Sequence, residues 1–471
     1  MRAALMVVAA LALAACAVGP RYSQPPTVAA SPNWTEAAAT TAVDPDWWRS
    51  LGDPVLSELV KAAIDRNLDL RVAQAQVREA RANRAAAFGP RLPQVNVTGS
   101  ANRNELSENG EFPINKIPGF NRRFNLFELD FDASWEIDFW GRNARSVEAA
   151  DARVASASEA LHNVQLETVA EVVRTYVDLR SAQARLASAA QDAQAQTQTA
   201  ALVGERYQAG EASRLDEARA QTQASSTRSA LAGLSADAHG AAYQLALLTA
   251  RPPEGLAALA EQRASLPAIP PTAGAGMRSD LLRRRPDVRQ AERDLAAATA
   301  DVAVATADLF PRVTLKASAG QQSRSTANFF SGSSSLYQFG PSLSWPIFSA
   351  GSIRAQIRAA GAREDEAAAR YEKAVVSALA DSETALNRYA AAGAQRRDRD
   401  AARAQSALAL DLARQRYAQG EDDLLTLLDA QSAYSSAEQS ALLARANELT
   451  ALVSLYKALG GGWQAADGES S

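Results

Sequence analysis

Cysteine occurs once in this sequence and histidine twice. A structural zinc site needs about four ligands, mostly Cys or His, and a catalytic one about three protein ligands, so most metal and thiol chemistry is excluded. A disulfide within the chain is impossible. Aromatic residues are few, at 6%, whereas alanine makes up roughly a fifth of the 471 residues, which favours long helices packed through thin side chains. Neither charge sign dominates: Lys+Arg 49 against Asp+Glu 53 leaves a net charge of -4 and no electrostatic footprint for nucleic acid. Enzyme signatures are missing too. His162 and His239 stand alone in predicted helices, Gly274-Ala275-Gly276 opens no helix in a βαβ setting, and no two carboxylates are patterned into a pocket. The expectation is a protein that is not an enzyme and uses no cofactor.

The absence of proline is as informative. Of 19 prolines none falls from Gly119 to Arg251 or from Ile347 to the end, so two long stretches contain no helix breaker. They predict helices over about 141–203 and 351–415, each on the order of 95 Å long at about 1.5 Å per residue. Leu161, Val164, Val169, Val172, Tyr176 and Leu179 recur at helical spacing on the first. Each rod turns at a glycine, Gly210 or Gly420, into a returning helix of about 38 residues, making a hairpin whose tip lies far from the rest.

Phenylalanine is distributed in the opposite way. All 12 copies fall within 88–139 or 310–348. From Phe127 to Phe139 the odd positions read Phe, Leu, Phe, Ala, Trp, Ile, Phe and the even ones are acidic or Ser, the period of a strand with one apolar and one wet face. A weaker copy runs from Tyr337 to Ile347, and Val95–Ala101 and Val313–Ala319 alternate likewise. Four strands of about ten residues suit a tilted membrane-spanning sheet, and the polar connectors 102–123 and 320–335 suit its outer loops.

At the N-terminus, Arg2 and the apolar stretch Leu5–Leu13 read as a signal peptide over 1–15, too short for a permanent membrane helix. Leu13-Ala14-Ala15-Cys16 resembles the bacterial lipoprotein cleavage box, which implies removal before Cys16 and its modification with acyl chains such as palmitate. Ala17 rather than Asp follows the cysteine, which implies sorting to the outer membrane.

The chain also repeats itself. A shift of 210 residues lines up Arg206-Tyr207, Gly210-Glu211 and Leu215 with Arg416-Tyr417, Gly420-Glu421 and Leu425, and Ser134-Trp135 with Ser344-Trp345. The organisation that follows is a signal at 1–15, an N-terminal segment at 16–53, a first repeat at 54–251, a Pro-rich linker at 252–277, a second repeat at 278–459 and a tail at 460–471. Four strands cannot close a barrel, for which about eight is the lower limit, so a membrane location forces oligomerisation. Two chains would fill the interior. Three would leave an open duct.

Asp46-Trp47-Trp48 with Leu51-Gly52-Asp53-Pro54, then Asn67-Leu68-Asp69-Leu70, and later Arg283-Arg284-Arg285-Pro286-Asp287-Val288, resemble the signatures of the outer-membrane efflux factors. These are TolC-like channels, here of the lipoprotein branch serving resistance-nodulation-division pumps. The resemblance implies a mainly α, mixed fold: a homotrimer whose long helical hairpins form an α-barrel continuing into a transmembrane β-barrel with four strands per chain. It further implies a lipid-anchored outer-membrane location reaching into the periplasm, a periplasmic adaptor and an inner-membrane transporter as partners, and passage of small molecules such as drugs.

Individual positions carry over unevenly. Gly210 and Gly420 match hairpin-tip glycines that seat the adaptor, while Glu211 and Glu421 stand where many relatives have an apolar residue. Asp216 and Tyr417 match residues that link neighbouring coils at the closed periplasmic entrance, but Asp422 replaces the arginine of that gate. Of two aspartates forming a cation-sensitive constriction, Asp429 is kept and Thr426 replaces the other. Two further readings share part of the pattern. A type I protein-secretion channel has the same fold, and a lipid-anchored periplasmic coiled-coil scaffold explains Cys16 and the rods but not the confinement of phenylalanine.

Overall fold

The computed structural model describes residues 17–23, 33–35, 41, 43–108, 121–271, 274–278 and 281–463. Residues 1–15, Cys16 and the tail beyond Trp463 lie outside them. The chain forms two compact units, and each draws on both repeats: Arg78–Ser156 with Ala291–Tyr371, and Thr27–Val77 with Ala157–Gln290 and Glu372–Ser471.

The first unit contains one antiparallel sheet, β1 (Gln94–Glu105), β2 (Arg123–Ile137), β3 (Arg312–Ser323) and β4 (Ser335–Ser344), in the order β1-β2-β3-β4. All four predicted strands shift: those expected over 95–101 and 313–319 run on to Glu105 and Ser323, into the expected connectors, because the cross-strand ladder continues past the alternating stretch. The one expected over 127–139 begins at Arg123 and stops at Ile137 because the Asp138 carboxylate accepts from the N–H groups of Asn143 and Ala144, at 3.2 and 2.8 Å, capping the helix that follows. The one expected over 337–347 ends at Ser344, next to Trp345-Pro346, where a residue without N–H cannot extend a ladder. Three indole N–H groups tie down the strand ends: Trp135 donates to Arg91 O, Trp345 to Leu309 O and Trp140 to Pro311 O, at 3.0, 3.1 and 2.9 Å. Trp140 also stacks on Phe310.

The long helices are slightly longer than expected, α3 (Arg142–Gln208) at 67 residues and α7 (Ser352–Gln419) at 68, since the pre-tip turns stay helical. Their returning partners are α4 (Arg214–Leu248) and α8 (Leu424–Ala458), both of 35 residues. The shorter helices include α1 (Pro54–Arg66), α2 (Leu68–Phe88), α5 (Glu254–Ala260) and α6 (Pro286–Ala307), the last preceded by a single helical turn at Leu281–Arg284. Among the described residues no helix is long and apolar enough to cross a membrane.

In the second unit the signature residues do structural work. Asp53 caps α1 through Val55 N–H at 2.9 Å, and its other oxygen accepts from Tyr176 Oη–H. Burial, then that carboxylate, pushes the Tyr176 phenol well up, so it stays neutral and donates. Tyr176 Oη accepts in turn from Arg180, whose other arm donates to Gln183, which donates to Leu259 O at 2.6 Å. Asn67 caps α2 by accepting from Asp69 and Leu70 N–H. Trp47 stacks on Tyr456 with ring centroids 4.8 Å apart. Residues 460–463, expected in the tail, are docked: Trp463 is buried, donates to Arg284 O and stacks on His162. His162 is thus a packing histidine, and its Nδ1 lies 3.2 Å from Glu159.

Candidate functional site: the sheet face and the hairpin tips

Register places like residues in rows across the sheet. Val97 pairs with Phe131, Phe131 with Ala319 and Ala319 with Tyr337; one step along, Val95, Ala133, Ala317 and Phe339 form the next row. This face is open: Phe131, Phe339 and Tyr337 are 55%, 71% and 87% exposed. The opposite face carries Asn96, Asp132, Ser318 and Gln338 in one row and Ser100, Glu128 and Gln322 in another, with Glu128 accepting from both Ser100 and Gln322. β1 and β4 each pair on one side only. An exposed apolar sheet with two free edges satisfies neither its side chains nor its backbone in water. Closure against further copies within a bilayer satisfies both.

Both tips close by the same device. Gly210 N–H donates to Tyr207 O and Glu211 N–H to Arg206 O, at 3.0 and 2.8 Å; Gly420 and Glu421 do likewise to Tyr417 O and Arg416 O, at 3.1 and 2.9 Å. These are Schellman turns, whose left-handed residue is glycine at φ +79° and +76°. A β-carbon at either would meet open space, so the backbone angle alone makes glycine the fitting residue. Glu211 and Glu421 are exposed. Ser213 and Asp216 then start α4 as a capping box, and Asp423 starts α8 by accepting from Thr426 N–H and Oγ1–H at 2.9 and 2.8 Å. Those two bonds hold the Asp423 carboxyl below its usual range.

Each residue matched to the entrance has a place in its own chain. Asp216 is engaged in its capping box. Tyr417 Oη accepts from Arg206 Nη1 at 3.2 Å, with the guanidinium over its ring at 5.2 Å. Asp422 is ion-paired to Arg416 at 2.9 Å, and Glu421 stands 3.9 Å from the same guanidinium. Asp429 is exposed and makes no hydrogen bond or ion pair among the described residues. Sequence reading missed Arg206 and Arg416 as tip residues although both mark the repeat. Their position one turn before a tip glycine, next to a tyrosine, was the available signal. Beneath the tips Val203, Leu410, Leu424, Leu427 and Leu428 form a buried cluster that holds the two hairpins together.

The sequence pattern of the outer membrane efflux protein family matches residues 59–251 and 277–461. The chain is similar to the pyoverdine export outer membrane protein OpmQ of Pseudomonas aeruginosa, 33% identical over 462 residues, covering 98% of this chain and 96% of the relative. It is 30% identical over 486 residues to the toluene efflux pump outer membrane protein TtgI of Pseudomonas putida, covering 98% of each. Among solved structures the outer-membrane channel OprN superposes with a TM-score of 0.87 at 36% identity, covering 95% of this chain and 100% of that one.

Proposed function

This chain belongs to the outer membrane efflux protein family, and we propose that it is the exit duct of a tripartite pump, working with a periplasmic adaptor and an inner-membrane transporter. It is an outer-membrane efflux channel. The observation that carries the fuller reading is the sheet, with one exposed apolar face, one polar face and two free edges. Three copies give twelve strands, enough for an open lumen lined by the Asp132 and Glu128 rows. The two hairpin tips, Gly210-Glu211 and Gly420-Glu421, are the adaptor seats in this reading, and their exposed carboxylates favour a polar contact. Asp429, without an ion pair among the described residues, is the residue available for a ring of like charges around the entrance; Asp216, Tyr417 and Asp422 shape that entrance from within each chain. The two relatives' names carry different cargoes, which supports leaving selection to the transporter and adaptor.

Lipidation at Cys16 after removal of residues 1–15 belongs to the same proposal. It is supported by how the next residues dock in the first unit: Val18 N–H donates to Trp140 O at 3.1 Å, and Gly141 lies so close to Ala17 that a β-carbon there would sit 2.8 Å from the Ala17 methyl. That junction joins the lipid-facing strands to α3, where an acyl anchor would reach the bilayer. Deleting the gene should sensitise cells to the toxic small molecules that the cognate transporter exports, and the full-length gene should restore resistance. Unchanged sensitivity, with export of a protein substrate lost instead, would replace efflux by protein secretion.

A further inference from the structure

The two hairpins are built on the same plan, with α3 and α7 starting at Arg142 and Ser352 and α4 and α8 at Arg214 and Leu424, so each position has a counterpart 210 residues on. In the middle of the hairpins one pair of counterparts differs in what it leaves open. In the first repeat Gln183 bridges from α3 to α5, donating to Leu259 O and Ala260 O at 2.6 and 3.2 Å. Its counterpart on α7 is Gly393, and there a cavity of about 620 Å³ opens between α7, α8 and the linker residues Ala268–Pro271. A β-carbon at Gly393 would already lie 3.2 Å from Glu448 Oε1 and 3.8 Å from Arg397 Nη1, so the missing side chain is part of what keeps this space open.

The charges that line it have no counterpart either. Arg396, Arg397 and Asp400 project from one face of α7 and Arg445 and Glu448 from α8, whereas the first repeat holds Leu186, Ala187, Ala190, Ser235 and Ala238 at those positions. The hairpin plan therefore does not require them. Arg396 is committed to buried Glu448 and, at 2.9 Å, to Asp400. Arg397 and Arg445 form no ion pair among the described residues; Arg445 makes one long contact, 3.5 Å, to Pro267 O. Two unpaired guanidiniums thus face a space with an apolar wall of Ile269, Pro270 and Pro271, residues of which the prolines offer no N–H.

We propose that this cavity binds a short acidic peptide, with Arg397 and Arg445 each receiving one carboxylate and the Ile269–Pro271 wall packing against the intervening residue. Planar guanidiniums grip carboxylates through paired N–H bonds, and a volume of this size accommodates a ligand of a few residues. The site lies within the second unit and does not depend on the transport reading.

The test is calorimetric titration of the purified full-length channel in detergent with acetyl-Glu-Ala-Glu-amide, against acetyl-Gln-Ala-Gln-amide and inorganic phosphate. The glutamate peptide should bind, weaken as salt is raised, and lose about tenfold or more in affinity in Arg397→Ala with Arg445→Ala, both exposed positions whose loss should leave melting unchanged. Gly393→Gln, which copies the closed first repeat, should abolish binding while the oligomer persists. Absence of binding by the glutamate peptide, equal binding by the glutamine peptide, or full retention in the double variant would overturn the proposal. Phosphate competing on equal terms would overturn the peptide assignment in favour of a simple anion site.

Discussion

Asp429 and Asp422 are both acidic and lie seven residues apart, yet their surroundings separate them. Asp422 is ion-paired to Arg416, whereas Asp429 lies on the exposed side of α8 with no ion pair among the described residues. If three copies bring Asp429 around a narrow axis, the ring repels anions and concentrates cations. In a planar bilayer the trimer should be cation-selective and blocked by divalent or trivalent cations from the periplasmic side. Asp429→Ala should reduce both effects and Asp422→Ala should change them less; the reverse order would put the constriction at the tip. For Gly210 and Gly420 the left-handed φ is the constraint, and a β-branched replacement at either should cost about 1–2 kcal/mol locally. Efflux and adaptor crosslinking should fail while trimer level holds, and undiminished crosslinking would remove the docking role. Asp423 supplies a pH-dependent cap. Its carboxyl is held below the usual range, so its contribution is complete above an unfolded pKa of about 4 and is lost as pH falls below that value. Amide protection in the first turn of α8, taken relative to intrinsic exchange at each pH, should fall on acidification through that range, and Asp423→Asn should flatten the response.

Strands and helices were legible to different degrees. Period-two alternation predicts β2 from Phe127 onward, and the register sets Phe131 between Val97 and Ala319 on one face while Asp132 accepts from Thr98 on the other. Phe131→Arg should destabilise the assembled barrel by roughly 2–4 kcal/mol if it lies near the bilayer midplane, whereas Asp132→Arg should assemble. Heat-modifiability of the trimer in outer membranes reports on both, and equal loss would argue against a lipid face. What alternation did not reveal was where a strand stops. Asp138 continues the pattern by residue type, yet it leaves the ladder to cap α3. The long helices outrun the apolar periodicity for a related reason, because a Schellman turn keeps the chain helical to within a residue or two of the glycine.

The whole chain is anchored twice in the proposed membrane reading, by acyl chains at Cys16 and by the sheet, so the lipid should be partly redundant. A Cys16→Ser variant exported by a cleavable signal should still assemble in the outer membrane, and complete release into the periplasm would contradict the barrel. Composition, proline-free stretches, alternation and the 210-residue repeat were enough to establish long hairpins, a four-stranded amphipathic sheet and the need for partners, because each is a local or periodic property written along the chain. The partnering of side chains distant in sequence was not. That Arg206 reaches Tyr417, that Asp53 meets Tyr176, that Trp463 docks on His162, and that Gly393 leaves an arginine-lined cavity where Gln183 bridges at its counterpart, are outcomes of packing between segments far apart in the sequence. Such contacts depend on which faces meet in three dimensions. One-dimensional patterning sets which face of an element is apolar, but the docking of whole elements decides which polar groups find each other.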